Sequence, residues 1–136
     1  MLVIDASVLF EVVADTPESE SLRERMALDA DHGAPHLVDA EVLSVIRTHH
    51  HKGALDTTSA RQAIDDLRLW PGERWSHRPL LGRAWELHPN LRGYDALYVA
   101  LAEVMGATLL TLDQRLASAP MIRCEVEVPG EPHNSN

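Results

Sequence analysis

The sequence predicts an α/β fold, a parallel sheet flanked by helices on both faces in three α/β/α layers, and three observations carry that expectation. Two short apolar runs, at residues 2–4 and 107–112 (ATLLTL), show no polar alternation and read as strands buried on both faces. Segments with apolar residues at helical spacing recur between them, the alternation of a sheet whose strands are joined by helical crossovers. The stretch 94–105 (YDALYVALAEVM) is apolar on nearly every side except at Asp95 and Glu103, as a helix packed between other elements would be.

The remaining elements follow in chain order. Residues 7–14 read as a helix, with Val8, Leu9, Val12 and Val13 on its apolar side. Residues 17–31 open with Pro and Glu, which suit a first helical turn, and continue through Leu22, Met26 and Leu28 to Gly33. A minor strand is expected at 35–38. A helix follows from Asp39 or Ala40 to about His51, closed by Gly53, and another covers 56–70, stopped by Pro71-Gly72. Residues 73–76 read as a strand and 79–88 as a short helix. Gly106 ends the long apolar helix. After the second buried strand come a short helix at 114–119 and an edge strand at 123–128. One domain is expected over residues 1–129, with a disordered tail from 130 to 136 (GEPHNSN).

Composition narrows the function. A chain of 136 residues with 45 % hydrophobic content can bury a real core, and its single Phe, two Tyr and three Trp leave that core to aliphatic side chains. No apolar run approaches the roughly 20 residues a membrane helix needs, the start lacks a basic leader, and the single Cys124 offers no internal disulfide partner. A cytoplasmic setting with no membrane association is the expectation. A net charge of −9 argues against coating nucleic acid by bulk attraction. It does not exclude an RNA substrate, because bound divalent cations would offset part of that charge and many of the eleven Arg fall between Arg47 and Arg92.

Four carboxylates point to chemistry. In an open α/β sheet, ligands bind beyond the carboxyl ends of the strands. Asp5 and Asp113 each follow a buried run, and Glu41 and Asp95 are expected in first turns of helices that start at the same edge. Gathering four acids is costly unless protons, basic partners or hard cations offset their repulsion. An oxygen-only donor set suits Mg²⁺ or Mn²⁺, and such ions can activate a water and stabilise a phosphate under attack. Ser7 and Thr111, each two residues from an Asp, are candidates to orient a carboxylate or a bound water. By spacing alone a second account stands beside this one: acids at helix starts are ordinary caps and dipole partners.

At these residues the chain resembles the PIN-domain family, and within it the VapC-like toxins of bacterial toxin–antitoxin pairs. The resemblance runs through VIDASVL at the start, PHLVDAEVLSVIR around Glu41, YDALYVALAEVMG around Asp95 and TLLTLDQRLA around Asp113. It implies a Mg²⁺- or Mn²⁺-dependent endoribonuclease with Asp5, Glu41, Asp95 and Asp113 as catalytic and metal-holding acids and Thr111 as the site hydroxyl. It also implies a homodimer, an RNA substrate such as transfer RNA, and silencing by a cognate VapB-like antitoxin. It gives no residue-level guidance for 49–91, the region where such proteins vary most.

Other features are weighed on the residues alone. Three adjacent histidines, His49, His50 and His51, point in different directions around a helix and read as partners of its C-terminus, not as a chelate. Arg92, just before Asp95, is the leading candidate for an RNA phosphate, with Arg47 as a second and Arg61, Arg68, Arg74, Arg78 and Arg83 as solvated alternatives. Trp70, Trp75 and Trp85 are read as packing under this Arg-rich middle, with base stacking as the other option. A haloacid-type phosphatase needs an Asp where Ser7 stands, and a receiver domain needs a late Lys, whereas the only Lys is Lys52. A catalytically silent PIN-like module that binds RNA or protein is the remaining alternative.

Overall fold

The computed structural model describes residues 1–130, so the expectation of a disordered tail falls almost entirely outside the described residues. Five strands form one parallel sheet: β1 (Leu2–Ile4), β2 (His32–Pro35), β3 (Glu73–Trp75), β4 (Thr108–Leu110) and β5 (Val126–Glu127). Their spatial order is β3-β2-β1-β4-β5. The chain therefore builds outward from β1 in one direction and then returns to build from β4 in the other. The join between β1 and β4 is the topological switch point, where an open parallel sheet leaves a crevice at its carboxyl edge.

Seven α-helices accompany the sheet: α1 (Ala6–Val13), α2 (Ser19–Met26), α3 (Leu37–His51), α4 (Thr57–Leu69), α5 (Leu81–Leu87), α6 (Asp95–Met105) and α7 (Gln114–Ser118). The strands β1 and β4 are almost wholly buried, and α6 buries seven consecutive residues from Ala96 to Ala102. That explains why these segments carry no polar face. Gly106 ends α6 at φ 60°, a left-handed conformation that costs glycine little.

Several boundaries differ from the sequence expectation, each for a local reason. The helix expected over 17–31 is only Ser19–Met26. Leu22 and Met26, four residues apart, share its buried face, but Leu28 falls off that face and is 80 % exposed. The minor strand lies at His32–Pro35 and not at 35–38. Its Gly33 suits a crowded position, since a Cβ there would come within 2.9 Å of Met1 Cε and 3.0 Å of Trp75 Nε1. Helix α3 consequently starts at Leu37, which puts Glu41 in its second turn and not its first. The short helix expected over 79–88 splits into a 3-10 turn, Arg78–Leu80, and α5. The last strand is just Val126–Glu127. Strand β4 stops at Leu110, so Asp113 lies three residues beyond it.

Arg74, expected as a solvated side chain, is instead a structural residue. From β3 its guanidinium donates to Asp39 at 2.9 and 3.2 Å and to the carbonyls of Leu67, Trp70 and Gly72 at 2.6–2.8 Å, while its Cζ lies 4.8 Å from the Trp70 ring centroid. It thus caps the end of α4 and ties it to α3. Arg83 is likewise tied down, to Glu103 at 2.7 Å and to Glu86 at 3.1 Å. We expect Arg74→Ala to cost about 2–3 kcal/mol in urea unfolding, mostly from stranded carbonyls, with Arg74→Lys recovering only part of it. An Ala variant of unchanged stability would show that the network is dispensable.

Candidate active site

The site is built at the switch point. Asp5 occupies the single extended residue between β1 and α1, and its N–H donates to the Leu110 carbonyl at 3.0 Å, which locks the ends of β1 and β4 together. Although it stands at the N-cap position of α1, its side chain makes no capping hydrogen bond. The carboxylate is instead held by two hydroxyls, Ser7 Oγ at 2.6 Å and Thr111 Oγ1 at 2.8 Å, both donating to Oδ2. Each hydroxyl also accepts a backbone N–H from the segment after β4: Leu112 N donates to Ser7 Oγ and Asp113 N to Thr111 Oγ1, each at 3.1 Å. Asp5 therefore anchors the loop that carries Asp113. Its Oδ1 has no hydrogen-bond donor among the described residues.

Glu41 reaches the site from the second turn of α3 and accepts a hydrogen bond from the phenol of Tyr98 at 2.8 Å. Tyr98 lies one turn after Asp95 on α6, so one helix supplies both an acid and the donor that orients another acid. Burial pushes the Glu41 carboxyl above the ordinary range, the Tyr98 hydrogen bond opposes that, and the charges of Asp5 and Asp95 push it further up. Asp95 is also raised, first by burial and then by Asp5 and Asp113, against the pull of Arg115 and Arg92. The Tyr98 phenol is held protonated by its burial and by the charges of Glu41 and Asp5, so it remains a donor. Glu41 on α3 and Asp95 on α6 thus both feel the charge of Asp5 at the β1–α1 junction.

The fourth acid is in a different state. Asp113 caps α7 by accepting from Arg115 N at 3.0 Å, and its two oxygens also take the Arg115 guanidinium at 3.2 and 3.1 Å. That hydrogen-bonded guanidinium holds Asp113 below the ordinary carboxylate range. Arg115 is the residue that sequence reading missed. The arrangement Asp-x-Arg at the start of a helix was the signal available for it. Arg92 is exposed and its charge reaches both Asp95 and Asp113. Arg47 is six residues past Glu41, about 9 Å along α3 and on another face, and the structure does not bring it to the acids.

The donor set is oxygen only, and two of its acids carry a repulsion that a hard divalent cation would relieve, so the residues fit Mg²⁺ or Mn²⁺ in kind. Among the described residues no three His, Cys, Asp or Glu side chains stand in a formed metal-holding group, and a cation would have to draw the acids together and compete with Arg115 for Asp113. The histidine run makes no such group. His49 and His50 each bond a backbone carbonyl near the end of α3, and the His49 ring packs 4.5 Å from Phe10. Of the tryptophans, Trp70 is buried and Trp75 half-buried, whereas Trp85 is 70 % exposed and stacks on His88 at 4.0 Å.

Removing the Tyr98 hydroxyl tests the link between α6 and Glu41. In Tyr98→Phe the opposing hydrogen bond is lost and Glu41 holds its proton to still higher pH. Any activity that needs ionised Glu41 should then show its acid limb displaced to higher pH, with about 1 kcal/mol less stability. An unmoved pH profile would separate Glu41 from the chemistry.

The family model for the PIN domain matches residues 2–120. Ribonuclease VapC1 of Mycobacterium tuberculosis is 36 % identical over 127 residues, covering 93 % of this chain and 96 % of the relative. Ribonuclease VapC3 of the same organism is 41 % identical over 119 residues, covering 87 % and 86 %. Among solved structures, PAE2754 from Pyrobaculum aerophilum superposes with a TM-score of 0.66 at 22 % identity over 93 % of this chain and 83 % of that one. VapBC2 from Rickettsia felis, bound to a DNA fragment from their promoter, superposes with a TM-score of 0.67 at 14 % identity, covering 93 % and 97 %. At those identities the two structures speak for the fold. Among the described residues, no helix is long and apolar enough to cross a membrane.

Proposed function

The chain belongs to the PIN-domain family, and from that premise we propose that it is a Mg²⁺- or Mn²⁺-dependent endoribonuclease acting as the toxin of a toxin–antitoxin pair. The observation that carries the reading is Asp5: a buried carboxylate at the sheet's switch point, left unspent by its helix and electrostatically coupled to Glu41 and Asp95. Relatives named as ribonucleases cover nearly the whole chain, which supports RNA as the substrate class.

In this reading Asp5, Asp95, Asp113 and Glu41 hold the metal. A bound divalent cation supplies a more acidic water and a counter-charge for the phosphate under attack. The chain's own residues do the positioning. Ser7 and Thr111 fix the Asp5 carboxylate through Oδ2 and leave Oδ1 to the cation, and the same hydroxyls hold the Asp113 loop. Glu41, steadied by Tyr98, completes the acid set and orients the attacking water. Arg92, exposed and with its charge reaching Asp95 and Asp113, is the group that receives a substrate phosphate in this reading. Cleavage would break one P–O ester bond of the RNA backbone by adding water across it.

The partners are proposed with the same reading. A VapB-like antitoxin, a homodimeric assembly and a structured RNA such as transfer RNA are part of the proposal, and the Rickettsia felis neighbour is itself a VapBC protein. The test is to incubate the purified protein with total RNA in Mg²⁺ or in EDTA, beside Asp5→Asn, and to map new RNA ends. Discrete cuts that need both the metal and Asp5 are the expected result. Uncut RNA from folded protein free of antitoxin would overturn the reading.

A further inference from the structure

A cavity of about 490 Å³ opens beside the acids, lined by Leu37, Ala40, Glu41, Ser44 and Val45 of α3 and by Tyr94. The five α3 residues fall at i, i+3, i+4, i+7 and i+8, so one stripe of that helix makes one wall and Tyr94 stands across from it. The volume lies in the range of small-ligand clefts, about 300–1,000 Å³. Tyr94 is 65 % exposed, a large aromatic side chain left in solvent at the mouth of a functional cleft. Its hydroxyl and that of Ser44 have no side-chain partner among the described residues.

Two features connect the cavity to the reaction. Glu41 belongs to both the cavity and the acid cluster, and Tyr94 immediately precedes Asp95 in the chain. A group seated in the cavity is therefore the immediate neighbour of whatever the acids bind. Its chemistry is that of a flat, uncharged ring. Leu37, Ala40, Val45 and the Tyr94 ring offer apolar and aromatic surface to the ring's faces, and Ser44 and the edge of Glu41 offer hydrogen bonds to its polar rim. A phosphate would meet Glu41's charge unfavourably, whereas an uncharged base would not.

The geometry points to this cavity as a nucleobase subsite: an unpaired base of the RNA, next to the scissile phosphate, packs on Tyr94 and is read by Ser44 and Glu41. The inference rests on the ribonuclease reading and adds to it the residues that choose the cleavage position. Tyr94 is a specificity residue here and not a catalytic one.

The experiment uses the full chain carrying Asp5→Asn, so that RNA is bound and not cut, in Mn²⁺. Probes are fluorescein-labelled octaribonucleotides of A, C and U, and an abasic chain of equal length. The base-bearing probes should bind about tenfold or more tightly than the abasic chain. Tyr94→Ala should erase that advantage and Tyr94→Phe should keep it. Ala40→Trp, which fills the cavity from the exposed surface of α3, should erase it without touching Tyr94. In the cleaving protein, Tyr94→Ala should also lose the base preference beside the mapped cuts.

If the protein cuts RNA and Tyr94→Ala changes neither the base advantage nor the cut positions, this inference falls and the nuclease stands. If Tyr94→Ala weakens only binding of a protein partner, the cavity belongs to a peptide and the inference falls too. If the unsubstituted protein makes no metal-dependent cuts, the nuclease reading fails first.

Discussion

Asp5→Asn should lower RNA cleavage on the order of a hundredfold or more while leaving the fold intact and its thermal stability unchanged or slightly raised. The asymmetry follows from how Asp5 is held. Ser7 and Thr111 both donate to one oxygen, Oδ2, and the carbonyl oxygen of Asn can accept the same two hydrogen bonds. What the substitution removes is the charge at the other oxygen. In the folded, metal-free protein that charge is a liability, because it pushes the carboxyls of Glu41 and Asp95 upward. Its loss relieves repulsion at the same moment that it removes a cation ligand. Asp5→Ala is the contrasting control. It strands the buried Thr111 hydroxyl and the half-buried Ser7 hydroxyl and should cost about 1–3 kcal/mol, so loss of activity there would confound folding with chemistry. The pair is read by calorimetry and by RNA end mapping. A folded Asp5→Asn protein with full metal-dependent cleavage would remove Asp5 from the mechanism.

How much of this was legible in the sequence depends on whether a residue's role is set by its own segment or by distant ones. Strands β1 and β4 and helix α6 are buried on all sides, so their composition alone announces them, and Asp5 and Asp95 stand out as charges at their ends. Strand β2 could not announce itself. Its Gly33 sits where a Cβ would crowd Met1 and Trp75, a constraint visible only once β1 and β3 lie alongside. Because β2 ends at Pro35, α3 starts at Leu37, before the Asp39 or Ala40 that its sequence suggests, and Glu41 falls in the second turn. The same division sorts the arginines. Arg74 looks like any solvated Arg until Asp39 and three carbonyls converge on it, and Arg115 looks like a helix-face charge until its fork closes on Asp113. Ser7 and Thr111 were legible as attendants of Asp5 and Asp113, but not that both serve the same oxygen of Asp5.

The second large effect expected is a divalent-ion stabilisation that depends on pH in a direction the acids dictate. Glu41 and Asp95 are raised by burial and by neighbouring acids, so across the interval from the ordinary carboxylate value, about 4, up to their raised values the native chain binds more protons than the unfolded one. Stability from these two acids therefore falls as pH rises through that interval and is lowest near neutrality. Acids held low act in the opposite sense: Asp113 by Arg115, Asp29 by Arg25, and Glu103 by Arg83 against its own burial. Their contribution is present above the ordinary value and lost as pH falls through their lowered ones. Without metal, these acids together favour the fold most in mild acid, just above the ordinary carboxylate value. Mn²⁺ should reverse the trend, because it binds the ionised carboxylates that neutrality leaves repelling one another. At a hundred times its Kd the ion adds about 2.7 kcal/mol, or roughly 8–10 °C in a chain of this size. The rise should be largest at pH 7.5 and shrink as pH falls through the raised values of Glu41 and Asp95, where protons compete with the ion. In Glu41→Gln the metal-free protein should melt higher at pH 7.5 and the ion's effect should shrink. Thermal scans from pH 5 to 8 with Mn²⁺ or EDTA measure all of this. A midpoint at pH 7.5 indifferent to millimolar Mn²⁺ would mean that Arg115, Tyr98 and the two hydroxyls already balance these acids, and that the cluster has no need of a cation.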